Sequence, residues 1–157
     1  IIVVRSVGMK KADCSKNVNF DMNYEEFFID NFIFERYRER LLFEFRDEKK
    51  RFCAIERFSH DSAKYLDKAK ISCAGEKITQ YELLPMLKEI TSSKTAYVIS
   101  QNSFDKTIMP LRDAVLMAYG EYSAVILVID ERISFVKSEI EKSSCKKYVM
   151  SREKITF

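Results

Sequence analysis

Glycine and proline are scarce in this 157-residue chain, with three of the first and two of the second. That scarcity excludes functions that need backbone to approach phosphate closely. Gly8, Gly75 and Gly120 form no G-x-G-x-x-G turn and no P-loop, so dinucleotide or nucleotide binding by those routes is out. There is one histidine, His60, and the four cysteines (Cys14, Cys53, Cys73, Cys145) include no closely spaced pair. A zinc knuckle or redox dithiol is therefore not expected, and free, mostly buried thiols are. No apolar run approaches the roughly 20 residues of a membrane span; the longest, Ala124–Ile129, is too short even for a signal-peptide core. A cytoplasmic protein with no membrane partner is the expectation. The chain opens Ile1-Ile2-Val3-Val4 and has its first methionine at Met9, which suits an excerpt of a longer polypeptide or one carrying added residues.

What is present suits one α/β domain over residues 1–157, with 46% hydrophobic and 32% charged residues. The net charge of +3 permits an anionic partner without requiring one. Ile1–Val7 reads as a strand and Lys10–Asn19 as a connection. Asp21 or Asn23 is placed to cap a helix bearing Glu25 and Glu26 in its first turn. Leu41–Phe45 and Phe52–Glu56 read as two strands of a hairpin around the charged turn Asp47–Lys50. Ala63, Leu66 and Ala69 suggest a short helical stripe. Thr79-Gln80-Tyr81-Glu82 matches a capping box, opening a helix to about Ile90 with Pro85 near its start. Thr95–Ser100 reads as a buried strand, Ile108, Leu111, Val115 and Ala118 as one helix face, and Ala124–Ile129 as a central strand. Ile133, Val136 and Ile140 suggest a last helix, and residues 146–157 an edge hairpin. A strand-helix-strand unit from residue 95 onwards implies parallel pairing, hence a mixed sheet.

The order of these elements, and the stretch TAYVISQNSFDKTIMPLRDAVLMAY…AVILVIDERISFV, resembles the closing part of Mrr-type restriction endonucleases, of the PD-(D/E)xK superfamily. The resemblance spans about Met22 to Glu139. It implies a three-layer mixed β-sheet flanked by helices, and a site built from acids on a helix and hairpin with a Glu/Gln-x-Lys on the second strand. Such acids would hold Mg²⁺ or Mn²⁺, which activates water for attack on phosphate. Here the second strand reads Phe52-Cys53-Ala54-Ile55-Glu56-Arg57, so Ala54 stands at the ligand position and Glu56 at the lysine position. Placing Glu56 on the metal instead leaves Phe58 at the lysine position.

Glu26, Glu39 and Glu56 are thus the carboxylates of a relic or rewired catalytic site, or else solvent-facing charges. Lys49, Lys50 and Arg51, with Lys64, Lys68 and Lys70, are the candidate nucleic-acid contacts, or else a solvated turn and helix face. His60 between Ser59 and Asp61 is no triad and reads as a helix-start residue. Asp130 sits either where α/β sheets place ligands or at a cap. Three functions follow: a non-catalytic endonuclease-like domain serving nucleic-acid binding or assembly; a protein-interaction module of the immunity or antitoxin kind; and an active metal-dependent nuclease with an unusual site.

Overall fold

A computed structural model describes residues 24–157; the expected strand at Ile1–Val7 and the caps at Asp21 and Asn23 lie outside them. Among the described residues the chain forms helices α1 (24–32), α2 (Glu35–Arg46), α3 (Glu48–His60) and α4 (Ser62–Tyr65), then a 3₁₀ turn at Lys68–Lys70. Strand β1 (Ile71–Gly75), helix α5 (Gln80–Ile90), strands β2 (Thr95–Ile99) and β3 (Ile108–Pro110), helix α6 (Leu111–Gly120) and strands β4 (Val125–Val128), β5 (Ile133–Lys137) and β6 (Lys147–Ser151) follow. The six strands make one sheet in the order β1-β6-β5-β4-β2-β3.

Every neighbouring pair in that sheet is antiparallel, which corrects the expected mixed sheet. The reason lies in residues 100–110. After β2 the chain doubles back to form β3 beside it, so α6 starts at the opposite end of the sheet and delivers β4 running against β2. The three-layer arrangement is as expected. Phe28, Ile29, Phe32, Leu41, Phe45, Ile55 and Phe58 of α1–α3 bury one face, meeting Tyr97, Ile126, Val136 and Met150. Leu83, Leu87, Leu111, Val115 and Ala118 of α5 and α6 cover the other, over Val98, Leu127, Phe135 and Val149. The alternation in Ala124–Ile129, buried throughout, is what covering both faces requires.

The expected hairpin at residues 41–56 is a pair of helices. Leu41, Glu44, Phe45 and then Arg51, Ala54, Ile55, Phe58 are the buried positions, spaced three and four apart. Asp47 separates the two helices and accepts a hydrogen bond from the Lys49 amide at 2.9 Å, the N-cap that restarts the helix. Ile133–Lys137 is a strand, not the expected last helix. The Asp130 carboxylate accepts from the Arg132 and Ile133 amides at 2.7 and 2.9 Å, which fixes a tight turn before it. The tail is no edge hairpin: β6 is an interior strand, paired with β5 on one side and β1 on the other. Among the described residues the outer strands of the sheet are β1, which carries a register irregularity between Ile71 and Cys73, and the three-residue β3, which ends in Pro110. Thr79 caps α5 as its motif implies, accepting from the Glu82 amide at 3.2 Å.

Candidate functional site

Arg51 stands at a core position of α3 and is only 5% exposed. A buried guanidinium demands partners for all its donors, and here each has one. Nη1 and Nη2 donate to the two Glu25 oxygens at 2.8 Å each. Nε and Nη2 donate to Asp105 at 2.8 and 2.9 Å, and Nη1 also reaches the Phe45 carbonyl at 2.9 Å. Tyr97 donates its hydroxyl proton to Glu25 at 2.7 Å, and the Ser100 amide donates to Asp105 at 3.0 Å. Burial alone would lower the Arg51 pKa, but the hydrogen bonds and charges of Asp105 and Glu25 outweigh it and raise the pKa above its ordinary value. Arg51 thereby fastens α1, α2, α3 and the 100–107 loop together, and Tyr97 joins β2 to the cluster through Glu25.

This placement removes Arg51 from the candidate nucleic-acid contacts, because its charge and donors are consumed internally. Lys49 and Lys50 are exposed in the first turn of α3, Lys64 and Lys68 are exposed after its far end, and Lys70 donates to the Arg152 carbonyl at 3.1 Å. Lys64 lies over the Tyr37 and Tyr65 rings. Thirteen residues of helix span about 20 Å, so the two lysine groups sit at opposite ends of α3 and do not make the expected single edge.

The candidate catalytic acids fall on three different helices. Glu26, half-buried on α1, is ion-paired with Arg46; Glu39 on α2 and Glu56 on α3 are exposed. Among the described residues no three His, Cys, Asp or Glu side chains are grouped to hold a metal ion. The segment expected to be a hairpin is the α2–α3 pair, which points Glu39 and Glu56 outward. Among the described residues the cysteines are free, as expected, but not mostly buried: Cys53 is exposed, and Cys73 and Cys145 are half-buried.

His60 ends α3 instead of starting a helix. Its Nδ1 lies 2.8 Å from Glu139 Oε1, and the hydrogen bond and charge of that carboxylate raise the His60 pKa. The pair lines a cleft of about 250 Å³ with Ser59, Ser62, Ser144 and Cys145. The Ser59 hydroxyl is occupied by the Ala124 amide at 2.9 Å, and the buried Ser62 hydroxyl has no hydrogen-bond partner among the described residues. Neither serine is thus primed as a nucleophile by His60.

The Arg51 cluster also sets a surface. Phe52, the next residue, is 56% exposed, and Phe104, on the loop that Asp105 ties down, is 43% exposed. Gln101 of that loop donates to the Phe52 carbonyl at 3.3 Å. Glu48 and Glu56, one turn either side of Phe52, are exposed carboxylates.

No protein-family model, curated protein or solved structure matches the chain. Sequence reasoning missed the Arg51 centre, although a signal for it exists: Arg51 lies in phase with Ala54, Ile55 and Phe58, where a helix expects a core residue.

Proposed function

We propose that this domain is a protein-interaction module that docks a partner through Phe52 and Phe104. The observation carrying this reading is that two large aromatic side chains are held out in water on a backbone pinned by the buried Arg51 cluster. With about half of each ring exposed, each Phe leaves roughly 1 kcal/mol of burial free energy unrealised in the isolated domain. Exposed aromatics on a rigid frame are what interface hot spots use, since little order must be imposed on binding. An immunity- or antitoxin-like inhibitor, which covers a partner's site and needs no catalytic group of its own, fits this description.

The endonuclease-like, nucleic-acid-binding reading retains Lys49 and Lys50 as exposed cations. It is less favoured because Glu48 and Glu56 flank Phe52, where a phosphate backbone would be repelled. Cross-linking in cells, followed by mass spectrometry, separates the two readings. The wild-type chain is expected to give protein cross-links centred on the Phe52–Phe104 surface, and the Phe52→Ala/Phe104→Ala variant to lose them while keeping its far-ultraviolet circular dichroism. Affinity for the recovered partner should fall about 30-fold per ring, or ~2 kcal/mol. Tight DNA or RNA binding that weakens steeply with salt, with no partner recovered, would overturn the proposal.

A further inference from the structure

On the flank of α2 turned away from α3, Glu39, Leu42, Phe43 and Arg46 form a stripe at helical spacing, and with Asp47 they line a shallow groove. Glu44, pointing to the other flank, pairs with Arg57 of α3 at 2.5 Å, so the stripe is not part of the α2–α3 contact. Phe43 is 61% exposed, more than any other phenylalanine among the described residues. This surface is distinct from that of Phe52 and Phe104.

The order of charges along the stripe is self-complementary. Glu39 and Arg46 are equally far from the midpoint between Leu42 and Phe43. When an identical helix is laid antiparallel across this one about a two-fold axis at that midpoint, residues whose positions mirror each other meet. Glu39 then faces Arg46 of the second copy, Arg46 faces its Glu39, and Leu42 and Phe43 pack against Phe43 and Leu42. The exposed Phe43 and the outer part of Leu42, whose other side already packs on the core, are covered, and two opposite-charge pairs close over them. Glu39 has no ion-pair partner among the described residues, and it is free to take this one. Arg46 already pairs with Glu26, but a guanidinium has five donors and bridges two carboxylates. A parallel helix would set Glu39 against Glu39 and Arg46 against Arg46, so the charges specify the antiparallel arrangement.

We infer that two copies of this chain associate through α2 in this antiparallel register. The stripe is two turns long and covers less than the roughly 1,200 Å² at which stable interfaces begin, so the dimer is a weak, concentration-dependent one. Because its specificity resides in exposed charge pairs, raising salt weakens it.

Sedimentation velocity of the full chain over a concentration series provides the test. Wild type is expected to shift from monomer to dimer, and Phe43→Asp to stay monomeric with unchanged circular dichroism. Glu39→Arg and Arg46→Glu should each weaken self-association about tenfold, or ~1.4 kcal/mol. Mixing those two variants should restore dimers, because each then supplies the charges the other lacks. A wild-type chain that remains monomeric to its solubility limit overturns the inference. So does a dimer that the single reversals leave intact, or one that their mixture fails to restore. The Phe52→Ala/Phe104→Ala variant should dimerise as wild type does, which keeps this outcome separate from that of the partner-binding proposal.

Discussion

Arg51 uses every donor it has inside the protein, which makes it a sensitive position. Removing a buried charge leaves Glu25 and Asp105 without their counter-ion, so Arg51→Ala is expected to destabilise by ~3–5 kcal/mol in chemical denaturation. Arg51→Lys should recover only part of that, because an ammonium cannot reproduce two bidentate contacts. Lys137 presents the opposite case. It is fully buried, faces Lys147 directly across the β5–β6 pair, and donates to the Glu121 carbonyl instead of a carboxylate. Burial lowers its pKa, with Lys147 adding to the effect. Lys137→Met is expected to raise thermal stability by ~1 kcal/mol, since it removes a like-charge pair and fills the same space. For His60 the sign runs through Glu139. A folded-state pKa raised above the unfolded value means that the pair stabilises below about pH 6.5, the ordinary histidine value, and loses that contribution as pH rises through the folded pKa. A proton NMR titration should place His60 above its ordinary value in wild type and return it there in Glu139→Gln.

At the scale of elements, what was legible in the sequence was what local chemistry decides. The Thr79 box, the strand Thr95–Ile99 and the buried run Val125–Val128 stand where their residues imply. Thr79→Ala is expected to cost ~1 kcal/mol, read from a denaturant midpoint, because two bonds between Thr79 and Glu82 close the first turn of α5. The α2–α3 pair reads as a hairpin because short apolar runs such as Leu41–Phe43 and Phe52–Ile55 fit the strand period and the helix period alike. What decides between them is the wider stripe, from Leu41 to Phe58, together with the cap at Asp47. The reverse error at Ile133–Lys137 comes from Ile133, Val136 and Ile140, three β-branched residues spaced three and four apart; the Asp130 turn commits that segment to pair back on β4. Pairing direction was not legible at all, since it depends on where residues 100–110 deliver the chain. With helices in place of the hairpin, Glu26, Glu39 and Glu56 lie on three separate helices, and Phe52 and Phe104 stand out only once burial is known.

For the whole molecule, the sheet is held together by residues distant in sequence. Strand β6 lies between β5 and β1, so among the described residues β1 has no other partner in the sheet. Deleting residues 146–157 is expected to abolish cooperative thermal unfolding, with loss of both β1 and the packing of Tyr148 and Met150 under α1–α3. Among the described residues no helix is long and apolar enough to cross a membrane.

The two outer strands have a further consequence. An open sheet normally risks templating another copy along its unpaired backbone, and natural sheets blunt that risk with short strands, proline and bulges. Here β3 is three residues long and closes on Pro110, and the pairing of β1 slips at Ile71–Cys73. Edge-to-edge growth into fibrils or strand-swapped assemblies is thereby discouraged at both ends. That leaves the helical faces, where contacts are made by side chains and a two-fold pairing closes on itself, as the surfaces open to association.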